Sequence, residues 1–296
     1  MSAPWLMVLA SFLFATMGVC VKLASAHYAP GEIMFYRGLT GAVLILTLAR
    51  SRGVALATRM PSAHFWRSLS GVVAMFLWFY SLGNLPLATA MTLNYMSSVW
   101  MALFLIGGAA MLGGTRVDGR LIATVLLGFA GVALILRPTI AQDQLWYGLV
   151  GLLSGMISAT AYLQVSALAR SGEPEIRIVF YFSIGGALFG LLTMLWSGSH
   201  AHTLRGLALL LAVGVLATVA QLMMTRAYST GRTLVNASLQ YLGIAFSFGY
   251  GVLLFADRMT WMALAGMLLI VGAGLCATLL RGRSAYRETA SVPLES

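Results

Sequence analysis

The sequence predicts an all-α membrane protein of ten transmembrane helices, arranged as two five-helix halves, and three observations predict it. Hydrophobic residues make up 60% of the 296 positions and charged residues 9%, against about 25% charged in soluble domains, so a water-soluble globule would lack polar surface. The apolar runs are continuous and near the roughly 20 residues that cross about 30 Å of hydrocarbon, whereas barrel strands are short and alternate. Two of the runs, Leu87 to Leu112 and Thr233 to Phe255, carry polar groups inside them, and an amide followed by tyrosine recurs as Asn94-Tyr95 and Gln240-Tyr241.

Taken in order, the spans of the first half are 5–25, 32–49, 65–83, 87–112 and 120–136, and those of the second are 146–168, 177–196, 205–226, 233–255 and 260–280. Ala24-Ser25-Ala26 has the look of a signal-peptidase site. No lysine or arginine precedes the run, however, and the run is longer than a signal core, so it is kept as the first span. All seven prolines lie in breaks or at span ends, which leaves close packing and mobility to glycines such as Gly107, Gly108, Gly185, Gly186, Gly190, Gly266, Gly272 and Gly274. Alternate breaks divide the 18 cations thirteen to five. Arg50, Arg52, Arg59, Arg67, Arg116 and eight others fall on one side; Lys22, Arg37, Arg137, Arg205 and Arg258 fall on the other. The positive-inside bias therefore puts both termini in the cytoplasm of a bacterial inner membrane.

An odd number of spans per half gives the halves opposite insertion. Aligning Asn94-Tyr95 with Gln240-Tyr241 brings Tyr80-Ser81 near Tyr228-Ser229, Arg116 near Arg258 and Gly131 near Gly272. The expected units are residues 1–140, residues 141–282 and a cytoplasmic tail, 283–296. Inverted repeats place a binding site near the bilayer midplane between the halves.

The net charge of +10 would suggest nucleic acid in a soluble protein, but topology already explains arginines in short breaks. Cys20 and Cys276 lie inside apolar runs without metal-site spacing, and no metal or cofactor is expected. Every acid falls in a break, at a span end or in the tail, so no mid-membrane carboxylate is available to exchange a cation for a proton. No GxSxG or HExxH occurs, which argues against an intramembrane hydrolase.

What remains is a site of aromatic and amide groups. Trp5, Trp66, Trp146, Trp196 and Trp261 sit at span ends, as an interfacial belt requires. Trp78 and Trp100 do not. With Tyr80, Asn94, Tyr95, Tyr162, Gln164, Gln240 and Tyr241 they form the expected substrate-binding set. Lys22 and Arg37 are expected to attract a substrate carboxylate at the outer mouth. His27, His64, His200 and His202 sit at breaks and are expected to be solvated.

Phe14 to Lys22 followed by Pro30 and Phe35-Tyr36-Arg37, then Tyr80-Ser81-Leu82 and Gly128-Phe129-Ala130-Gly131-Val132, resemble the EamA-type carriers of the drug/metabolite transporter superfamily. Within it the chain looks most like the YddG-type exporters of aromatic amino acids. The resemblance implies ten helices in two inverted repeats and export of small metabolites by alternating access, with aromatic and other neutral amino acids as the expected substrates. Another metabolite or a drug is the alternative within the superfamily; a channel or an integral-membrane enzyme is the competitor outside it. The chain departs from the family where many members have proline, at Ser98 and Ile244, and where a glutamate is frequent, near Gly114-Thr115. The expected partners are the substrate and the lipid bilayer, without nucleic acid, and the sequence leaves the oligomeric state open, a monomer included.

Overall fold

Proline opens helix after helix in this chain. The computed structural model describes residues 2–111, 123, 126–134, 144–230, 236, 239–257 and 260–290. Pro4, Pro30 and Pro61 stand in the first turns of α1 (Ala3–Ala24), α2 (Pro30–Ser51) and α3 (Pro61–Asn84), where a missing N–H costs nothing. Pro86 and Pro174 precede α4 (Leu87–Tyr95) and α7 (Glu175–Ser197). The remaining helices are α5 (Ser97–Met111), α6 (Leu145–Arg170), α8 (Leu204–Thr230), α9 (Leu242–Phe255) and α10 (Trp261–Ala290), with helical residues 126–134 between α5 and α6. No strand occurs among the described residues. Five helices, α1, α2, α6, α7 and α8, are long and apolar enough to cross a bilayer, and α9 and the start of α10 form shorter apolar segments.

The run expected to be one span at 87–112 is interrupted. α4 ends at Tyr95, Met96 forms a turn, and α5 starts at Ser97. Tyr241 forms a comparable turn just before α9. Both amide-tyrosine pairs therefore sit at helix interruptions. α6 reaches the first of them closely: a Cβ on Gly155 would lie 2.5 Å from the Leu93 carbonyl and 2.9 Å from that of Asn94. The proposed matches of Arg116 with Arg258, and the departure at Gly114-Thr115, lie outside the described residues.

The first three helices each pack mainly on one of the second part: α2 on α7, α1 on α8 and α3 on α6, while α4 lies between α6 and α9. The α2–α7 contact is made by small residues. A Cβ on Gly38 would strike the backbone of Ala187 and Ser183, and one on Gly190 the backbone of Phe35, so the two backbones touch as in small-xxx-small membrane pairs. Among the described residues nothing lies within 4 Å of a Cβ built on Gly107, Gly108 or Gly272.

Polar ties gather at the two ends of the bundle. At one end the Glu32 carboxylate, in the first turn of α2, accepts from the backbone N–H of Ala29 and His200 at 3.1 and 2.8 Å, with His200 Nδ1 at 2.6 Å. At the other, the Glu173 carboxylate, just ahead of α7, accepts from Thr58 and Arg177 at 2.9 and 2.8 Å and lies 3.2 Å from His64 Nε2. His64 is therefore not solvated as its position in a break suggests. It is buried, beneath the ring of Tyr181 at 4.6 Å.

Candidate binding cavity

A cavity with about 600 Å³ of atom-free space, part of it open to solvent, lies between α1, α2, α3, α4, α6, α7 and α8. Trp78, Asn94, Tyr95, Tyr162, Gln240 and Arg37 of the expected set line it, together with Arg67, Phe182, Ser158 and Gln221. Side chains from Arg37 to Gln240, far apart along the chain, are thus gathered at one place.

The two arginines dominate its chemistry. Arg37 is 5% and Arg67 2% exposed, yet neither has a carboxylate or a side-chain hydrogen-bond partner among the described residues. Both guanidinium groups stand over the ring of Phe182, at 4.9 and 4.4 Å from its centroid. By these distances the two cations are no more than about 9 Å apart, where at an effective dielectric of 20 they repel by about 2 kcal/mol. Cation–π attraction of about 2 kcal/mol per desolvated pair outweighs that repulsion but leaves most of the cost of burying two ions, several kcal/mol each, uncompensated. Guanidinium does not lose its proton in proteins, so the charge stays.

Local sequence explains how they converge. Arg37 lies seven residues into α2 and Arg67 six into α3, each about 10 Å from its helix start at 1.5 Å per residue. These helices run antiparallel, so the side chains reach the middle from opposite ends. Gly71, one turn beyond Arg67, provides the space. A Cβ there would strike Arg67 Nη1 and lie 2.9 Å from Phe182.

The amides surround this pair. Asn94 donates through Nδ2 to Ser154 Oγ at 2.7 Å and to Ser158 Oγ at 3.3 Å. Gln240 donates to the Met224 sulfur at 3.4 Å; its Oε1, Gln221 Nε2 and Trp78 Nε1 have no hydrogen-bond partner among the described residues. Tyr162 stacks on Tyr228 with centroids 6.2 Å apart.

Other expected residues lie elsewhere. Trp100 packs against Phe104 and Phe129, with centroids 6.2 and 5.0 Å away, and does not line the cavity. Tyr80 faces Tyr147 and a groove beside α7. Gln164 accepts from Ser70 Oγ at 2.7 Å, bridging α6 to α3. Tyr241 lines an apolar groove between α9 and α10. Lys22 donates to the Leu85 carbonyl and stands 5.3 Å over Phe255, so it ties α1 to the α3–α4 turn. Arg37 lies in the cavity, deeper than a mouth position. The five belt tryptophans are all exposed.

Sequence reading missed Arg67 and Gln221. Arg67 was placed in a break because the third span was started at 65; Pro61 marks a helix start four residues earlier and puts Arg67 inside. Gln221 was an amide well within an apolar run, the same signal that identified Asn94.

The apolar helices thus enclose a cavity, partly open to solvent, whose lining places two arginines and three amides among mainly apolar and aromatic side chains. Comparison with known proteins gives the family. The EamA-like transporter family matches residues 1–137. The pseudopaline exporter CntI of Pseudomonas aeruginosa is 34% identical over 281 residues, covering 95% of this chain and 96% of that protein. An uncharacterized transporter of Helicobacter pylori is 24% identical, covering 93% of each. A riboflavin transporter of Rhizobium johnstonii is 27% identical over 77% of this chain and 74% of its own. A crystal structure with 20% identity matches at a TM-score of 0.69 over 94% of this chain and 97% of its own, which shows the same fold. The chain belongs to the EamA-like transporter family. The expected specialisation as a YddG-type aromatic amino acid exporter is not what these relatives share: the named cargoes are pseudopaline and riboflavin.

Proposed function

We propose that the protein exports a small metabolite across the bacterial inner membrane by alternating access, with the cavity around Arg37, Arg67 and Asn94 as its binding site. The observation that carries this reading is a buried cavity lined by polar groups without protein partners and enclosed by helices from both parts of the chain. The cargoes named for its relatives support a metabolite other than a neutral amino acid, the alternative of the sequence reading.

The helix pairings support inverted repeats of residues 1–140 and 141–282. If α1, α2 and α3 correspond to α6, α7 and α8, a two-fold exchange turns the α1–α8 contact into α6–α3 and α2–α8 into α7–α3, and all four are present. The end clusters exchange likewise. Glu32 at the start of α2 takes a histidine following α7, and Glu173 at the start of α7 takes one following α2. With both termini cytoplasmic, the Glu32 cluster faces outward and the Glu173 cluster inward, so each closes one route to the cavity.

The test is a single cysteine at Ala161, a cavity-lining position, in a protein whose Cys20 and Cys276 are replaced by alanine. A membrane-impermeant thiol reagent is expected to label it from outside intact cells and also from the cytoplasmic face of inverted vesicles. Labelling from one face only, under all conditions, contradicts alternating access.

A further inference from the structure

The charge of the cavity selects its cargo. Of the described residues lining it, only Arg37 and Arg67 are ionised at neutral pH, and no acid is among them. A cationic solute would enter a site carrying two fixed positive charges. A zwitterion would find partners for its carboxylate, but its ammonium would have only amide and hydroxyl oxygens. An oxyanion meets both needs of the site: it neutralises charges left uncompensated among the described residues, and it accepts from donors that have no partner among them, Arg37 Nε, Arg67 Nε and Nη1, Trp78 Nε1 and Gln221 Nε2. That these unpartnered atoms are predominantly donors is the second, independent indication, because a site for a cation would present acceptors. The planar fork of guanidinium matches carboxylate and phosphate oxygens in pairs of hydrogen bonds. Phe182, Trp78 and Tyr162 supply an aromatic wall for the organic body of the same molecule.

We infer that the cargo is a small organic anion, its carboxylate or phosphate oxygens held jointly by Arg37 and Arg67. This rests on the reading of the cavity as the transport site. It replaces the neutral or zwitterionic substrate expected from sequence, which considered the absence of acids but not the presence of a second cation.

The experiment measures thermal stabilisation of the purified protein by matched compounds that differ in charge: indole-3-acetate, indole-3-acetamide and tryptamine, with citrate and inorganic phosphate as arms that separate carboxylate from phosphate chemistry. Indole-3-acetate or citrate is expected to stabilise the native protein at concentrations at which the amide and the amine do not. Arg67→Gln is expected to raise the concentration required at least tenfold. Phosphate acting where both carboxylates fail assigns the anion to the phosphate class. The inference is overturned if the amide or amine stabilises as well as the acid, or if Arg67→Gln responds to the acid as the native protein does. If the amide binds and Trp78→Ala abolishes that binding, the cavity reading survives and only the anion is lost. If none of the five stabilises the protein, the cavity reading falls with it.

Discussion

Arg67 and Arg177 each lie near the start of a helix on the same side of the bundle, yet their surroundings are opposite. Arg177 is held by its own loop and by the loop between α2 and α3: Nη1 donates to Glu173 at 2.8 Å, and Nε and Nη2 donate to the Ala55 carbonyl at 3.1 and 2.7 Å. Arg67 lies four residues deeper into its helix, is more completely buried, and has an aromatic ring and a second arginine in place of an acid. The difference separates two uses of one side chain. A paired arginine at the bundle end fixes loops, whereas an unpaired one in the centre keeps its donors available at a cost in stability, as intramembrane charges with a functional role do.

The comparison is broken or sharpened most strongly by removing the central charges. Arg37→Gln and Arg67→Gln are each expected to lower export by about 100-fold, the equivalent of about 3 kcal/mol for lost charge-assisted hydrogen bonds. Flux of labelled substrate from proteoliposomes measures this. Glu173→Gln addresses the other member. It leaves Arg177 and His64 without their buried anion and is expected to cost about 2 kcal/mol of stability, visible as a lower midpoint of thermal unfolding.

Gly71→Ala comes next. Alanine is the better helix former by about 1 kcal/mol, so a neutral site would gain stability. Here the methyl group occupies the place of the Arg67 guanidinium, and export is expected to fall about tenfold while the helix remains folded. Trp78→Ala and Trp100→Ala should likewise differ: the first weakens substrate binding, and the second chiefly lowers stability by about 3 kcal/mol through lost packing on Phe104 and Phe129.

The smallest effect concerns pH. Burial pushes the Glu173 carboxyl upward, but hydrogen bonds from Arg177, Thr58 and His64 outweigh it and hold the group below its ordinary value of 4.5. A lowered carboxyl contributes stability that is complete above the unfolded value and is lost as pH falls through the folded one. The difference in unfolding midpoint between native and Glu173→Gln protein is therefore expected to be full at pH 7 and to shrink below about pH 4.5.

Much of the fold was legible because bilayer physics leaves so few solutions. Apolar length located α1, α2, α3, α6, α7 and α8 to within about four residues at each end, whereas the span expected at 87–112 is divided and α10 runs ten residues past its expected end. The Met96 interruption was not legible, since nothing in Asn94-Tyr95-Met96-Ser97 departs from a helical run; it accompanies the close approach of α6 at Gly155. The site was half legible. A polar residue in an apolar run pointed to Asn94 and Gln240, and a tryptophan away from the interfacial belt to Trp78, all of which line the cavity. The second signal failed for Trp100 because an aromatic ring serves packing and recognition equally well. The first failed for Arg67 because a four-residue error in a helix start turned an intramembrane charge into an interfacial one. Whether a cation has a partner depends on residues over a hundred positions away, such as Glu173 for His64, and only the folded chain shows it.

The most direct test of this distinction compares the thermal unfolding of Arg67→Gln and Arg177→Gln proteins, purified in the same detergent without added solute. Relief of an uncompensated buried charge should leave the Arg67→Gln midpoint at or above that of the native protein, while loss of the Glu173 tie should lower the Arg177→Gln midpoint by several degrees. A midpoint for Arg67→Gln that falls as far as that of Arg177→Gln would mean that the central arginine is a structural group, and that the cavity is not held ready for an anion.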